Sequence, residues 1–134
     1  MFKIKKIFKS EKGQSLVEFA LILPILLLLV FGIVEFGRAF NTYLIVSNAS
    51  REGARYAVVG AENGEIIDAI EAKTSTLGSV DIFISPEDKS ARTNGEDVDI
   101  KVSYSLSLIT PIVGPLISED NSLNIESITT MRME

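Results

Sequence analysis

Glu18 is the residue whose type and position most clearly suggest a specific chemical partner. It is the only charged residue between Leu16 and Val34, a stretch of otherwise apolar residues. A carboxylate inside a membrane helix costs about 2.5–3.5 kcal/mol near the helix centre and less near its end, so such residues usually have a partner. Taken alone, an interfacial glutamate whose side chain reaches the lipid headgroups explains the position equally well.

Other kinds of chemistry find little support in the composition. The chain has no Cys and no His, which removes disulfides, almost every structural zinc site and histidine as a general base. It also lacks a glycine-rich phosphate loop, a G-x-S-x-G motif and carboxylates paired at an interpretable spacing. The acidic group Glu96, Asp97 and Asp99 does not match EF-hand spacing, and surface carboxylates are the simpler explanation. We therefore expect a structural protein and not an enzyme, with no cofactor, no metal and no small-molecule substrate.

The apolar stretch is long enough to be a membrane helix. A single crossing needs about 20 largely apolar residues, and the stretch from Leu16 to Val34 nearly meets this length. The run from Leu26 to Phe31 would leave a helix apolar on every side, with no face for water. The alternative is a buried core helix, but the rest of the chain is too short to wrap one.

Charge is divided unevenly around this stretch. The basic residues within 1–12 are Lys3, Lys5, Lys6, Lys9 and Lys12. Only Glu11 opposes them there, whereas the whole chain has a net charge of −5. Because basic flanks stay cytoplasmic, we expect residues 1–13 to be a cytoplasmic leader, 14–40 a transmembrane helix and 41–134 an extracytoplasmic α+β domain. The acidic outer part argues against nucleic-acid binding.

The short polar segment at residues 12–15 lies before the apolar stretch and not after it. A secretory signal peptide needs a small-x-small cleavage site after Val34, and no good site is present. Type IV prepilins are instead cut on the cytoplasmic side after a glycine and carry Glu at the fifth mature position. The chain resembles them, because a cut between Gly13 and Gln14 makes Glu18 the fifth residue. The new amino group of Gln14 on a neighbouring subunit could then pair with Glu18, since opposite charges attract strongly in a low-dielectric core.

Two sequence blocks resemble one pilus-associated family. Residues 13–24 (GQSLVEFALILP) and 47–57 (SNASREGARYA) are similar to the two signatures of TadE-like pseudopilins, minor components of Flp (tight-adherence) pilus systems. The resemblance implies maturation by a prepilin peptidase and a single-pass place in the cell membrane, with incorporation in an extracellular pilus as one outcome. The implied partners are membrane lipid, other pilins or pseudopilins and the pilus assembly platform. The alternative is a signal-anchored extracytoplasmic binding or adhesion module unrelated to pilus assembly.

The second block has a regular pattern of small residues. Every fourth residue is small, at Ala49, Gly53, Ala57 and Ala61. On a helix these positions form one stripe that another backbone can approach closely. The residues alone leave two partners open, the chain's own sheet and neighbouring subunits. Arg51 and Arg55 lie roughly opposite the stripe and are best explained as part of a solvated face.

The rest of the chain predicts a short helix and a small sheet. Asn63–Gly64 should end the long helix, and residues 65–77 have the spacing of a short amphipathic helix. Alternating apolar residues predict strands at residues 80–84, 98–108 and 123–133. The expected fold class is α+β and pilin-like. It consists of a long N-terminal transmembrane helix continuing into an amphipathic helix, a short second helix, and an antiparallel sheet of about three strands.

Overall fold

The structure, a computed structural model, describes residues 11–110, 115 and 118–134 of the 134-residue chain. Its elements are α1 (Glu11–Val58), α2 (Asn63–Thr74), β1 (Asp81–Ser85), a 3-10 turn (Lys89–Ala91), β2 (Asp97–Ser107) and β3 (Ser122–Arg132). The α+β prediction is confirmed, with a long apolar helix first, a short helix second and a three-stranded antiparallel sheet last. Most of the leader predicted for residues 1–13 lies outside the described residues.

Helix α1 has two halves with different surroundings. It runs for 48 residues and continues through Pro24. At 1.5 Å per residue this corresponds to about 72 Å. Large apolar side chains are exposed from Leu16 to Val34, whereas the half that follows Glu35 packs against the rest of the chain. One continuous helix therefore carries both the bare apolar segment and the wall of the outer domain.

The break between the two helices lies at Gly60. Gly60 adopts φ +80°, a left-handed conformation that glycine reaches without steric cost. Its amide donates to the carbonyl of Ala57 at 3.0 Å, and the amide of Ala61 donates to that of Tyr56 at 3.2 Å, which is the hydrogen-bond pattern of a Schellman motif. The predicted break at Asn63–Gly64 is therefore wrong.

Asn63–Gly64 instead begins α2. Glu62 and Glu65 form a reciprocal capping box around the first turn, in which the amide of Glu62 donates to the Glu65 carboxylate at 2.9 Å. The helix ends at Thr74, three residues before the predicted boundary at residue 77.

The sheet confirms all three predicted strands to within one residue. Its order is β1-β2-β3, and both pairs are antiparallel. Ile100 in the central strand pairs with Ile84 on one side and with Thr129 on the other. Val98, Ile100 and Val102 face inward and are fully buried, as the alternation along β2 predicted.

The core lies where the second half of α1 meets α2 and the inner face of the sheet. A three-stranded sheet is stable only when something covers its apolar face, and here the two helices do so. The fully buried apolar residues at this junction are Val46, Ala49, Ala54, Ala57, Ile66, Ile70, Val98, Ile100 and Val102. Because α1 forms one side of this core, the α+β domain and the bare apolar segment are connected through one continuous helix.

Candidate functional site

The predicted cleavage and assembly residues lie together at the start of α1. Gly13, Gln14 and Glu18 are all exposed within its first two turns. The side-chain amide of Gln14 donates to Glu18 Oε1 at 3.2 Å, an i,i+4 contact along the helix. A neutral amide does not balance the charge of a carboxylate, so this contact leaves Glu18 available to a cation from another molecule.

A second glutamate, at the end of the bare apolar segment, is buried. Glu35 is only 4% exposed. Its Oε1 atom accepts hydrogen bonds from the amide of Ile109 at 2.6 Å, the amide of Thr110 at 2.9 Å and the hydroxyl of Thr110 at 3.2 Å. A buried carboxylate is tolerated only when it is paired and hydrogen-bonded, and these donors supply much of that stabilisation.

Arg38 completes the pairing one turn further along α1. Its Nη1 atom donates to Glu35 Oε2 at 2.8 Å, and both Nη1 and Nη2 lie 3.3 Å from the carbonyl oxygen of Ser107. We call Glu35, Arg38, Ser107, Ile109 and Thr110 the Glu35 junction. It fastens the segment that follows β2 to the middle of α1 and so fixes the angle between helix and sheet.

Sequence reasoning did not identify the Glu35 junction. The available signal was an acidic residue at the end of an apolar block with Arg three positions later, a spacing that places both side chains on one helix face.

The small-residue stripe packs inside the chain. Ala49 and Ala57 are fully buried, and a Cβ atom added at Gly53 would lie 2.6 Å from Ile70 Cδ1 and 3.1 Å from Ile100 Cγ2. Ala61 is partly buried against the same core. Of the two partners left open by the sequence, the structure places the stripe against the chain's own α2 and β2. Glycine at position 53 leaves room for the Ile70 side chain, which an added Cβ atom would have to displace.

The polar face of the same helix points to solvent. Arg51 is exposed, and Arg55 pairs with Glu52 at 2.6 Å. The hydrogen bond to Glu52 raises the pKa of Arg55 above its ordinary value. This arrangement matches the expected solvated face.

A buried hydroxyl cluster joins α1 to β3. Ser50 is fully buried, and its Oγ atom lies 3.1 Å from Ser127 Oγ and 2.8 Å from Thr129 Oγ1, while it donates to the carbonyl of Ser47 at 3.0 Å. The cluster therefore cross-links two elements. Over the described ranges, no group of three or more Asp or Glu residues is placed to hold a metal ion.

Helix α1 is the candidate membrane element of the described chain. Within Gly13–Val58 its most apolar 18-residue window has a mean hydropathy of 2.8, and none of that window is buried. By length and composition α1 is compatible with a single membrane crossing.

The family comparison covers the same region. A family model described as TadE-like protein matches residues 13–55. Residues 13–55 are therefore similar in sequence to TadE-like proteins. The TadE-like segment contains Gly13, Glu18, the two helix residues of the Glu35 junction and the small-residue stripe as far as Gly53. It stops before α2 and the sheet. No curated protein and no solved structure matches the chain.

Proposed function

We propose that this chain is a minor pseudopilin of a Flp/Tad-type pilus, matured by a prepilin peptidase and anchored by one membrane-crossing helix. The observation that carries the proposal is the spacing of Gly13 and Glu18 at the start of a bare apolar helix within the TadE-like segment. In this proposal the N-terminus is cytoplasmic and the domain from residue 41 onward lies outside the membrane.

Assembly would use Glu18 as the acceptor for an amine. Cleavage after Gly13 gives Gln14 a free, positively charged amino group. Four residues of helix correspond to about 6 Å of axial rise, so parallel subunits staggered by one turn would place that amine beside Glu18 of a neighbour. In an apolar surrounding the pair would remove the cost of an isolated carboxylate.

The outer face of the sheet supports contacts with other pilus subunits. Phe83 and Ile128 lie on either side of Lys101 in the strand register, and both are mostly exposed. Contiguous exposed apolar patches mark contact surfaces, and Phe83 and Ile128 add apolar area to this face on both sides of the Lys101 backbone. In this proposal they face other pilins, pseudopilins or the assembly platform.

Intact-mass spectrometry of membrane-extracted protein tests the maturation step. Expressed with an active prepilin peptidase, the chain should begin at Gln14, and Gly13→Leu should keep its leader. The same measurement in cells without the peptidase is the control. An uncleaved N-terminus in the presence of the active enzyme would reject the proposal.

A helix exchange separates a pseudopilin from a simple tethered adhesion module. Residues 14–34 are replaced by an unrelated apolar helix that lacks Glu18. A pseudopilin should lose co-assembly with other pilus subunits while its outer domain still reaches the cell surface. Unchanged assembly would favour the tethered module.

A further inference from the structure

An aromatic ridge lies on α1 just beyond Glu35. Phe36, Phe40 and Tyr43 follow one another at i, i+4 and i+7, which places them on one helix face. Phe36 is 74% exposed and Phe40 is 54% exposed, and their rings stack with centroids 6.4 Å apart. Exposed apolar side chains thus recur beyond Val34, at Phe36, Phe40 and Tyr43.

The ridge forms one wall of an apolar groove of about 400 Å³. The opposite wall is the start of β3, from Leu123 to Glu126. The charge of Glu126 is paired with Lys101 at 2.8 Å. The groove therefore presents mainly hydrocarbon, with its acidic group already neutralised.

Ile109, which follows β2, lies at the same height along the α1 axis as the start of the aromatic ridge. Its side chain is 70% exposed, and its amide lies 2.6 Å from the Glu35 carboxylate. The Glu35 junction therefore holds Ile109 at the height of Glu35, immediately beyond the bare apolar segment.

The length of that segment sets this height relative to a bilayer. From Leu16 to Val34 the rise is about 28 Å, close to the roughly 30 Å of a hydrocarbon core. Residues 35–43 then fall at the headgroup level, where aromatic side chains are enriched in membrane proteins.

We propose that the base of the outer domain is itself a lipid-binding surface. We define the base as Phe36, Phe40, Tyr43, Ile109 and Leu123. It lies in the outer interfacial layer of the bilayer, and the groove receives the upper end of a phospholipid acyl chain, at the boundary with the hydrocarbon core. This rests on the proposed membrane anchor. The new element is that the sheet domain contacts the membrane surface directly.

Single-tryptophan variants test the depth of the base, because the chain contains no Trp. Phe40→Trp and Ile109→Trp report on the base. Leu28→Trp marks the middle of the apolar segment. Val59→Trp is the matched control, since position 59 is also exposed but lies about 35 Å further along the α1 axis than Phe36. Each full-length variant is reconstituted into phosphatidylcholine vesicles with and without brominated acyl chains.

Bromine should quench Phe40→Trp and Ile109→Trp at least threefold more than Val59→Trp, with Leu28→Trp quenched as well. If Leu28→Trp is quenched but Phe40→Trp or Ile109→Trp is quenched no more than Val59→Trp, the proposal of a lipid-binding base is wrong and the membrane anchor remains supported. If Leu28→Trp is not quenched, the anchor itself fails. A third outcome is a blue-shifted fluorescence emission of Phe40→Trp that bromine does not quench and that shifts to the red when the protein is diluted with lipid. It would show that a second copy of this chain, and not lipid, covers the base.

Discussion

The carboxylate of Glu35 lies 2.6 Å from the backbone nitrogen of Ile109, 74 residues further along the chain. This contact joins the end of the bare apolar segment to the end of the sheet's central strand. Because the acceptor is charged and buried, its loss should affect more than one hydrogen bond.

Replacing Glu35 with Ala should lower the free energy of unfolding of the outer domain by about 2–4 kcal/mol, since two backbone amides and Arg38 lose their acceptor. Glu35→Gln keeps the shape and should cost about half as much. Amide exchange of the full chain in detergent provides the measurement, with protection expected to fall at Ile109 and Thr110.

Glu52→Gln is the matched control for the Glu35 variants. Glu52 and Arg55 form an ion pair with the same i,i+3 spacing, but Arg55 is largely exposed. Its loss should leave the free energy of unfolding nearly unchanged, because solvent screens an exposed ion pair. Equal effects of the two substitutions would contradict a special role for the buried pair.

Gly53→Ala should destabilise the packing of α2 on α1. Alanine in a helix interior gains about 1 kcal/mol over glycine, but the new methyl group would lie 2.6 Å from the fully buried Ile70, and overpacking costs about 1–3 kcal/mol. We expect a net loss of up to about 2 kcal/mol. Denaturant unfolding monitored by circular dichroism provides the measurement.

Two further variants give the Gly53 prediction its controls. Ile70→Val removes the Cδ1 atom that the new methyl group would meet, so the double variant should lose less stability than the two single losses combined. Gly64→Ala places its methyl group in open space and should be neutral or slightly stabilising. A stabilised Gly53→Ala would show that the close approach of Ile70 relaxes at little cost.

Glu18→Gln should abolish or strongly reduce assembly while leaving maturation and the outer domain unchanged. The side chain contacts Gln14 and is far from the sheet, so its removal has no route to the core. Co-purification with other pilus subunits gives the first measurement, and intact mass and amide exchange give the others. Glu18→Asp, which keeps the charge, should restore part of the assembly. Normal assembly of Glu18→Gln would refute the proposed amine pairing.

Ser50→Ala should cost about 1–2 kcal/mol, because the change leaves the hydroxyls of Ser127 and Thr129 without their shared partner. A double-mutant cycle with Thr129→Val should show coupling of at least about 0.5 kcal/mol. Thr130→Val, at the neighbouring exposed position, is the comparison. Strict additivity of Ser50→Ala and Thr129→Val would show that the cluster contributes no joint stabilisation.

The strands could be predicted from sequence because the signal is local. Alternation from Val98 to Leu108 identifies both the element and its inward face, and the structure agrees to within one residue. The helix break could not be resolved in the same way. Gly60 and Gly64 both allow a turn, and only the Schellman hydrogen bonds at Gly60, together with the Glu62–Glu65 cap, select the first.

The site residues also divide into those with a local sequence signal and those that depend on contacts between distant parts of the chain. Gly13 and Glu18 are recognisable from their spacing within one segment. The partners of Glu35 are backbone amides 74 and 75 residues away, and backbone groups leave no pattern in the sequence. The contact between Ser50 and Thr129 could not be predicted from the sequence either. Alternation shows that Thr129 faces inward, but which helix residue it meets depends on the docking of α1 against the sheet.

The Schellman turn at Gly60 ends one continuous helix, a rod that gives the chain a direction around its axis as well as along it. Each helical residue turns by about 100°, so the side of the rod that bears Glu18 keeps a fixed azimuth relative to the sheet. One residue inserted between Leu26 and Val30 would swing the sheet by roughly a quarter turn, whereas seven would bring it back nearly to where it began. The length of the apolar segment thus sets the rotation of the sheet domain about the helix axis relative to Glu18, and not only its distance from Glu18.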